Sequence, residues 1–408
     1  MKCRHCSSVL STNFVDLGSS PPSNAYLPKS HLSSPEKWFP LRVLVCEHCW
    51  LVQTEDFTAA HELFDSEYAY FSAFSTSWLA HSERYVDTMV NRFSLDSASH
   101  VVEVAANDGY LLQFVQKRGI PCTGIEPTAS TAQAARGRGI RIVQEFFGEN
   151  LANTLSGQGA QADLMVANNV LAHVPDINDF VSGFTRLLKP AGVVTFEFPH
   201  LLELIKHSQF DTIYHEHFSY LSLTAIQRIF GKAGLSIFDV ERLSTHGGSL
   251  RVFAQRSDSR PQPESHTVKD VLHEEVSSGL LKTETYTNFQ KQAQRVRNEF
   301  LGFLIQAQQD KKKVMGYGAA AKGNTLLNYA GVKADFVSAV VDKNPAKQNK
   351  YMPGSRIPIV DESVISKSQP DYIVIFPWNL KSEVMEQLSY IRDWGGKFVC
   401  AVPQLSVM

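Results

Sequence analysis

Residues 101–112, VVEVAANDGYLL, read as a buried strand ending at Glu103 to Ala105, a turn through Asn107, Asp108 and Gly109, and the entry into a helix at Tyr110. A turn of this kind, with a glycine for close approach, cradles a ligand at the carboxyl edge of a sheet. The string departs from the G-x-G-x-x-G dinucleotide fingerprint, which argues against hydride transfer at this strand.

Outward from that turn the same alternation continues. From His100 to Gln255 the strand-like runs HVVEVA, CTGIE, IRIVQ, ADLMVAN and GVVTFEF are separated by helix-length segments and end in the pair SIFDVERL and SLRVFAQ. Alternating β and α segments with a closing pair predict an α/β domain on a mostly parallel sheet. Upstream, residues 59–93 turn helical, and Met1 to about Thr58 carries many Pro, Ser and Cys with little periodicity. That composition predicts a small, loop-rich module in which a metal replaces a hydrophobic core. Downstream, Thr267 to Lys313 predicts long connecting helices, and the α/β rhythm restarts in KVMGYGAAAKGN, FVSAVVD, RIPIV, DYIVIF and KFVCAV, enough for a small Rossmann-like domain. The expected division is 1–58, 59–260 and 261–408.

The 408 residues carry 39 Lys plus Arg against 41 Asp plus Glu, so the net charge of −2 gives no broad attraction for nucleic acid and favours a small-molecule partner. MKCRHCSS has no apolar signal core, and no later run reaches the roughly 18 to 20 apolar residues of a membrane-spanning helix. A cytoplasmic protein is expected, with its oligomeric state left open and a monomer acceptable. Cys3-x-x-Cys6 and Cys46-x-x-Cys49 have the spacing that lets paired thiolates face one tetrahedral Zn²⁺. Redox dithiols or plain buried cysteines are the alternative. Nothing beside either pair supplies an open coordination position with an acid or base, so the ion is assigned to folding. His5 and His48 are expected to face solvent or to support the ligands from outside.

Polar groups recur at the predicted strand ends. Glu103, Ala105, Asn107 and Gly109 form the first turn, and Glu126 ends CTGIEP, where a carboxylate accepts hydrogen bonds from ribose hydroxyls. Glu145 offers a carboxylate to an adenine amino group, Phe146 offers surface for its ring, and Asn168 ends the fourth strand. Packing or turn roles explain each position equally well when taken singly. Together with the resemblance of VVEVAANDGYLL to motif I of class I methyltransferases, where Ala105 replaces the usual first glycine, they point to S-adenosylmethionine.

IYHEHFSY gathers Tyr214, His215, Glu216 and His217 after the fifth strand. Such groups are costly to bury unless they contact a ligand or one another. A catalytic metal of the H-E-x-x-H type needs histidines four apart, whereas His215 and His217 are two apart and leave a helix on different sides. An inert, satisfied cluster and an acid/base centre are the remaining readings.

The ordered set of Cys-x-x-Cys pairs, EYAYFS, VEVAANDGYLL, GIEP, NNVLAHVPD, YHEHFSY, HGGSLRV, GYGAAAKGNTLLN and DKNPAKQNKYMPG resembles the sugar C-methyltransferases that make branched-chain deoxysugars, over nearly the whole chain. The resemblance implies a zinc lobe, a class I methyltransferase core and a C-terminal Rossmann-like lobe that grips a nucleotide-sugar. It implies methylation of a thymidine-diphosphate 4-keto-6-deoxyhexose beside its ketone. By residue-wise match, His217 is the candidate base and Glu216 the neighbour that orients or polarises it. Tyr214 and Tyr68, with Tyr70 as second choice to Tyr68, are candidates for the developing oxyanion or the sugar hydroxyls, and Asn169 and His173 match positions facing the sugar. His246 is placed to reach the pocket, although Gly247-Gly248 also reads as a plain turn between antiparallel strands. In the C-terminal lobe, Lys322 and Asn324 follow Gly316-Tyr317-Gly318 at a turn suited to phosphates, a purely structural glycine turn being the alternative. The competing functions are O- or N-methylation of another metabolite, a non-catalytic nucleotide-sugar-binding protein, and a nicotinamide enzyme, for which GYGAAAKGN is a poor fingerprint.

Overall fold

The computed structural model describes residues 1–56, 73 and 76–408; Tyr68 and Tyr70 lie outside the described residues. Seven strands make the central sheet: β1 (Val101–Val104), β2 (Cys122–Ile125), β3 (Arg141–Val143), β4 (Ala162–Asn168), β5 (Leu188–Pro199), β6 (Leu235–Leu243) and β7 (Ser249–Arg256). They lie in the order β3-β2-β1-β4-β5-β7-β6, with β1 to β5 parallel and β7 antiparallel to both β5 and β6. The parallel sheet and its closing pair are those expected from the sequence.

The period-2 alternation of strands sends β1 into two layers. Val101 joins Tyr85 and Met89 of the helix Thr76–Phe93, whereas Val102 and Val104 join Phe180 and Phe184 on the opposite face. The order reverses between β1 and β4, and the crevice outside such a switch point is where doubly wound sheets take ligands.

The N-terminal module departs from the loop-rich expectation. Thr12–Ser20, Phe39–Val45 and Val52–Thr54 form an antiparallel sheet, which Ser219–Tyr220 from the central domain completes as a fourth strand. Irregular register between Asn13 and Val15 and between Asp16 and Ser19 breaks the alternation that would have revealed the first strand. Nor does the module lack apolar packing: Phe14, Val15, Val43 and Val45 are buried in one cluster with Tyr286, Phe289 and Phe300, and the Phe14 and Phe289 rings stack at 4.4 Å.

Helices His266–Ser277, Thr283–Thr287 and Phe289–Gln309 connect to the C-terminal lobe. Its sheet runs Ile359–Val360, Val340–Val341, Val314–Tyr317, Tyr372–Ile375 and Lys397–Cys400 in parallel, with Ser406–Val407 antiparallel at one edge. No described helix is long and apolar enough to cross a membrane.

Candidate active site

The four predicted metal ligands converge. The Sγ atoms of Cys3, Cys6, Cys46 and Cys49 all lie within 4.8 Å of one another, with Cys3–Cys49 and Cys6–Cys46 at 3.5 Å. Four thiolates on tetrahedral zinc stand about 3.8 Å apart at Zn–S of about 2.3 Å, so this donor set fits the ion. Both knuckles close alike: Ser7 N–H donates to Cys3 O at 2.9 Å and Trp50 N–H to Cys46 O at 2.7 Å, with Ser7 and Trp50 left-handed at φ 63° and 62°. The Cys49 thiol hydrogen bond holds Cys3 down to about 4, while Cys49 itself is pushed up by the same bond. His5 is no ligand and does not face solvent; it is buried, with Nδ1 2.8 Å from Asn178 Oδ1.

At the switch point, Ala105, Asn107 and Gly109 take left-handed conformations, with φ of 59°, 48° and 78°. Glu126 pins the turn, its Oε2 accepting from Asn107 N–H at 3.0 Å and Oε1 from Thr128 N–H at 2.9 Å. Each oxygen keeps a lone pair for a further donor. Glu103 is fully buried below, and burial drives its carboxyl well above the ordinary range, opposed by the Tyr110 hydroxyl. Gly109 is favoured by its left-handed φ of 78°, and a Cβ there would also have to displace the tip of the Ile140 side chain. Across the switch point, buried Asn168 has an Oδ1 with no hydrogen-bond partner among the described residues, as suits a site for a polar ligand. Glu145 is exposed, and Phe146 is 63% exposed at the end of β3.

The chemical centre forms where the segment after β5 turns back. His217 Nδ1 lies 3.0 Å from the Thr212 carbonyl, so Nδ1 carries the proton and Nε2 keeps its lone pair. His173 is fixed in the same tautomer by the Glu216 carbonyl at 2.8 Å. The His217 ring lies 4.0 Å from that of Tyr214 and 4.6 Å from that of His173. Burial keeps His217 well below the usual imidazole value and lowers His173 and His246 to about 4, so all three are neutral near pH 7. Asn169, left-handed at φ 53°, is held by its N–H to Glu197 O at 2.7 Å.

The Glu216 carboxylate is not on the His217 ring; Ser23 and Asn24 hold it from the N-terminal lobe. The C-terminal lobe contributes Lys322, whose Nζ donates to Asn379 Oδ1 at 2.7 Å and lies 4.0 Å from the Trp378 ring centroid. Burial lowers Lys322 to about 8, and its charge helps keep His217 and His246 neutral. Asp211, raised to about 6 by burial, accepts from Trp378 Nε1 at 2.7 Å. Trp378 also explains Gly247, where a Cβ would stand 2.4 Å from its ring. Asn324 is turned elsewhere, its Nδ2 donating to the Ser23 carbonyl at 2.5 Å. In the turn read as suited to phosphates or as a purely structural glycine turn, the N–H groups of Gly318, Ala319 and Ala320 donate within the protein. Ser23, Asn24, Thr212, Asp211 and Trp378 were not legible as site residues because no local pattern marks them.

Residues 3–64 match the family described as "Putative zinc binding domain", residues 78–240 a methyltransferase domain family and residues 244–403 the C-methyltransferase C-terminal domain family. The whole chain is 33% identical to the C-methyltransferase NovU of Streptomyces niveus, of which it covers 96%. It is 29% identical over 161 residues to the ubiquinone biosynthesis O-methyltransferase of Erwinia tasmaniensis, covering 36% of this chain and 65% of that protein. Among solved structures, the magnesium protoporphyrin IX methyltransferase of Synechocystis with bound S-adenosylmethionine is 16% identical over 44% of this chain and 82% of its own, at a TM-score of 0.33.

Proposed function

This chain belongs to the C-methyltransferase family, with S-adenosylmethionine as its cofactor and a zinc-binding N-terminal lobe, and we propose that it methylates the ring carbon beside the ketone of a nucleotide-linked 4-keto-6-deoxyhexose. One observation carries this reading: a neutral imidazole, His217, whose Nδ1–H is committed to the Thr212 carbonyl so that Nε2 can accept a proton. A carbon acid beside a ketone needs such a positioned base near neutral pH, whereas methylation of an already nucleophilic oxygen or nitrogen needs it less.

In the proposed reaction His217 Nε2 takes the proton from the carbon, and the C–H electrons move onto the ketone oxygen as an enolate. Tyr214, whose ring lies against His217, donates its hydroxyl to that oxygen. Asn169 and His173 face the sugar hydroxyls, His246 borders the same pocket, and the Lys322 ammonium meets the diphosphate. Glu103 to Gly109, Glu126 and Asn168 hold the cofactor, which when bound supplies an electrophilic methyl group. Tyr68 and Tyr70 lie outside the described residues. A cytoplasmic setting, which keeps thiols reduced, suits the four zinc ligands.

The test is incubation with methyl-labelled S-adenosylmethionine and a panel of nucleotide 4-keto-6-deoxyhexoses, with product analysis by mass spectrometry and NMR. A His217→Asn chain should bind S-adenosylmethionine normally yet methylate about 10²- to 10⁴-fold more slowly. Near-normal turnover by that variant would remove His217 as the base.

A further inference from the structure

Glu216 is a buried carboxylate, 2% exposed, with no ion pair among the described residues. An unpaired buried carboxylate is expensive, and this one is held by neutral donors alone, the side chains of Ser23 and Asn24 and the backbone N–H groups of Asn24 and Glu216. Ser23 Oγ lies 3.2 and 3.1 Å from its two oxygens, and Asn24 Nδ2 donates to Oε1 at 3.2 Å. Charge-assisted bonds run to about 2.7–2.9 Å, so these side-chain contacts are long, and one Ser23 hydroxyl proton is shared between the two oxygens.

We infer that the zinc-bearing lobe is a working part of the catalytic centre, in which Ser23 and Asn24 are positioning residues that hold the Glu216 carboxylate for the substrate. This rests on the proposed sugar methylation. Three further contacts tie the centre to that lobe. Ser219–Tyr220 adds a strand to its sheet, Thr54 Oγ1 donates to His217 O at 2.6 Å, and Thr54 N–H donates to Phe218 O at 3.1 Å. Ser23 is also gripped from the other side, since its carbonyl accepts Asn324 Nδ2 at 2.5 Å. Glu216 in turn fixes the neighbouring imidazole, because its own carbonyl accepts His173 Nδ1. A shift of Ser23 is therefore transmitted to Glu216 and His173 together. The carboxylate is held by Ser23 and Asn24 from the N-terminal lobe and by its own backbone N–H, and Tyr220 is the titratable group that feels its charge; burial pushes its pKa up, and the Glu216 backbone, Ser23 and Asn24 donors oppose that rise.

The experiment compares wild type with Ser23→Ala, Ser23→Thr and Asn24→Asp in the full chain. The assay uses labelled S-adenosylmethionine and thymidine-diphosphate 4-keto-6-deoxyglucose. Asn24 is exposed, so its variant is expected to fold. Ser23→Ala should keep its zinc and its cofactor affinity while kcat falls about 10- to 100-fold and KM changes little, and Ser23→Thr should restore most of the rate. Asn24→Asp sets a like charge beside Glu216 and should move the acid limb of the kcat profile to higher pH. Carbon-13 NMR of the Glu216 carboxyl, identified by its loss in Glu216→Gln, should show the same upward movement without any turnover. Values of kcat within about twofold of wild type in both Ser23→Ala and Asn24→Asp, with an unmoved carboxyl titration, overturn the inference. If wild type is inert towards the sugar, the sugar reading fails for that substrate, and the NMR titration decides whether Ser23 and Asn24 control Glu216.

Discussion

At the end of β1, Asn107 N–H and Thr128 N–H reach the two oxygens of Glu126 at 3.0 and 2.9 Å; at the end of Val314–Tyr317, Ala319 N–H and Asn344 N–H reach the two oxygens of Asp342, both at 2.8 Å. In each lobe an acid at the end of one strand pins the turn that follows its neighbour. The two turns differ in what covers them. Tyr26 from the N-terminal lobe donates its hydroxyl to Ala319 O at 2.6 Å, and Lys347 Nζ donates to the same carbonyl at 2.8 Å. On the core turn, Ala73 N–H and Arg138 reach Asp108, while the nearby Asn168 Oδ1 is left without a partner among the described residues. Doubly wound topology builds the crevice twice, and side chains from elsewhere decide whether it holds a ligand or a neighbouring lobe. That contrast argues against nicotinamide chemistry in the C-terminal lobe.

The contrast depends first on the metal, because Tyr26 arrives on the zinc-binding lobe. Structural zinc contributes apparent binding free energies of about 10–16 kcal/mol, so its loss is the largest effect expected. The Cys46→Ser, Cys49→Ser double variant should carry no zinc where wild type carries one per chain, and should melt at a clearly lower temperature. Metal analysis with calorimetry checks both, and an unchanged melting temperature after complete zinc loss would contradict a structural ion. Next comes the pair of acids. Glu126→Gln should weaken S-adenosylmethionine binding about 10- to 100-fold, because bonds to a charged group contribute about 1.5–3 kcal/mol each. Asp342→Asn should leave that affinity alone while reducing stability by about 1–3 kcal/mol. Titration calorimetry separates them, and the comparison breaks if Asp342→Asn, once folded, loses the cofactor.

Legibility in the sequence followed the range of the interactions. The β–α alternation, the zinc ligands and the strand-end polar groups are local patterns, and the central sheet and four-cysteine cluster agree with them. The N-terminal sheet was hidden because bulges interrupt its alternation and its fourth strand comes from more than 150 residues downstream. Gly247 was legible only as a turn, since the Trp378 ring that forbids a Cβ there comes from another lobe. In the sequence Glu216 reads as the neighbour of His217, yet its carboxylate is held by Ser23 and Asn24. The folding of three lobes onto one centre leaves no spacing rule to read.

The smallest effect tests the C-terminal turn most directly. Tyr26→Phe removes the hydroxyl donated to Ala319 O but keeps the ring, over which Lys347 Nζ sits 5.2 Å from the centroid. The carbonyl still accepts from Lys347, so it is not orphaned, and the cost is that of one net hydrogen bond, about 0.5–1.5 kcal/mol. Denaturant unfolding should show that loss without a change in slope. Because the turn serves as a lobe contact, S-adenosylmethionine affinity and the rate of methyl transfer should stay at wild-type values. If the crevice at Gly318 to Ala320 were a ligand site in its own right, opening it would change ligand affinity instead. A Tyr26→Phe chain of unaltered stability that gains or loses affinity for a nicotinamide dinucleotide would show that the two turns are functional equivalents.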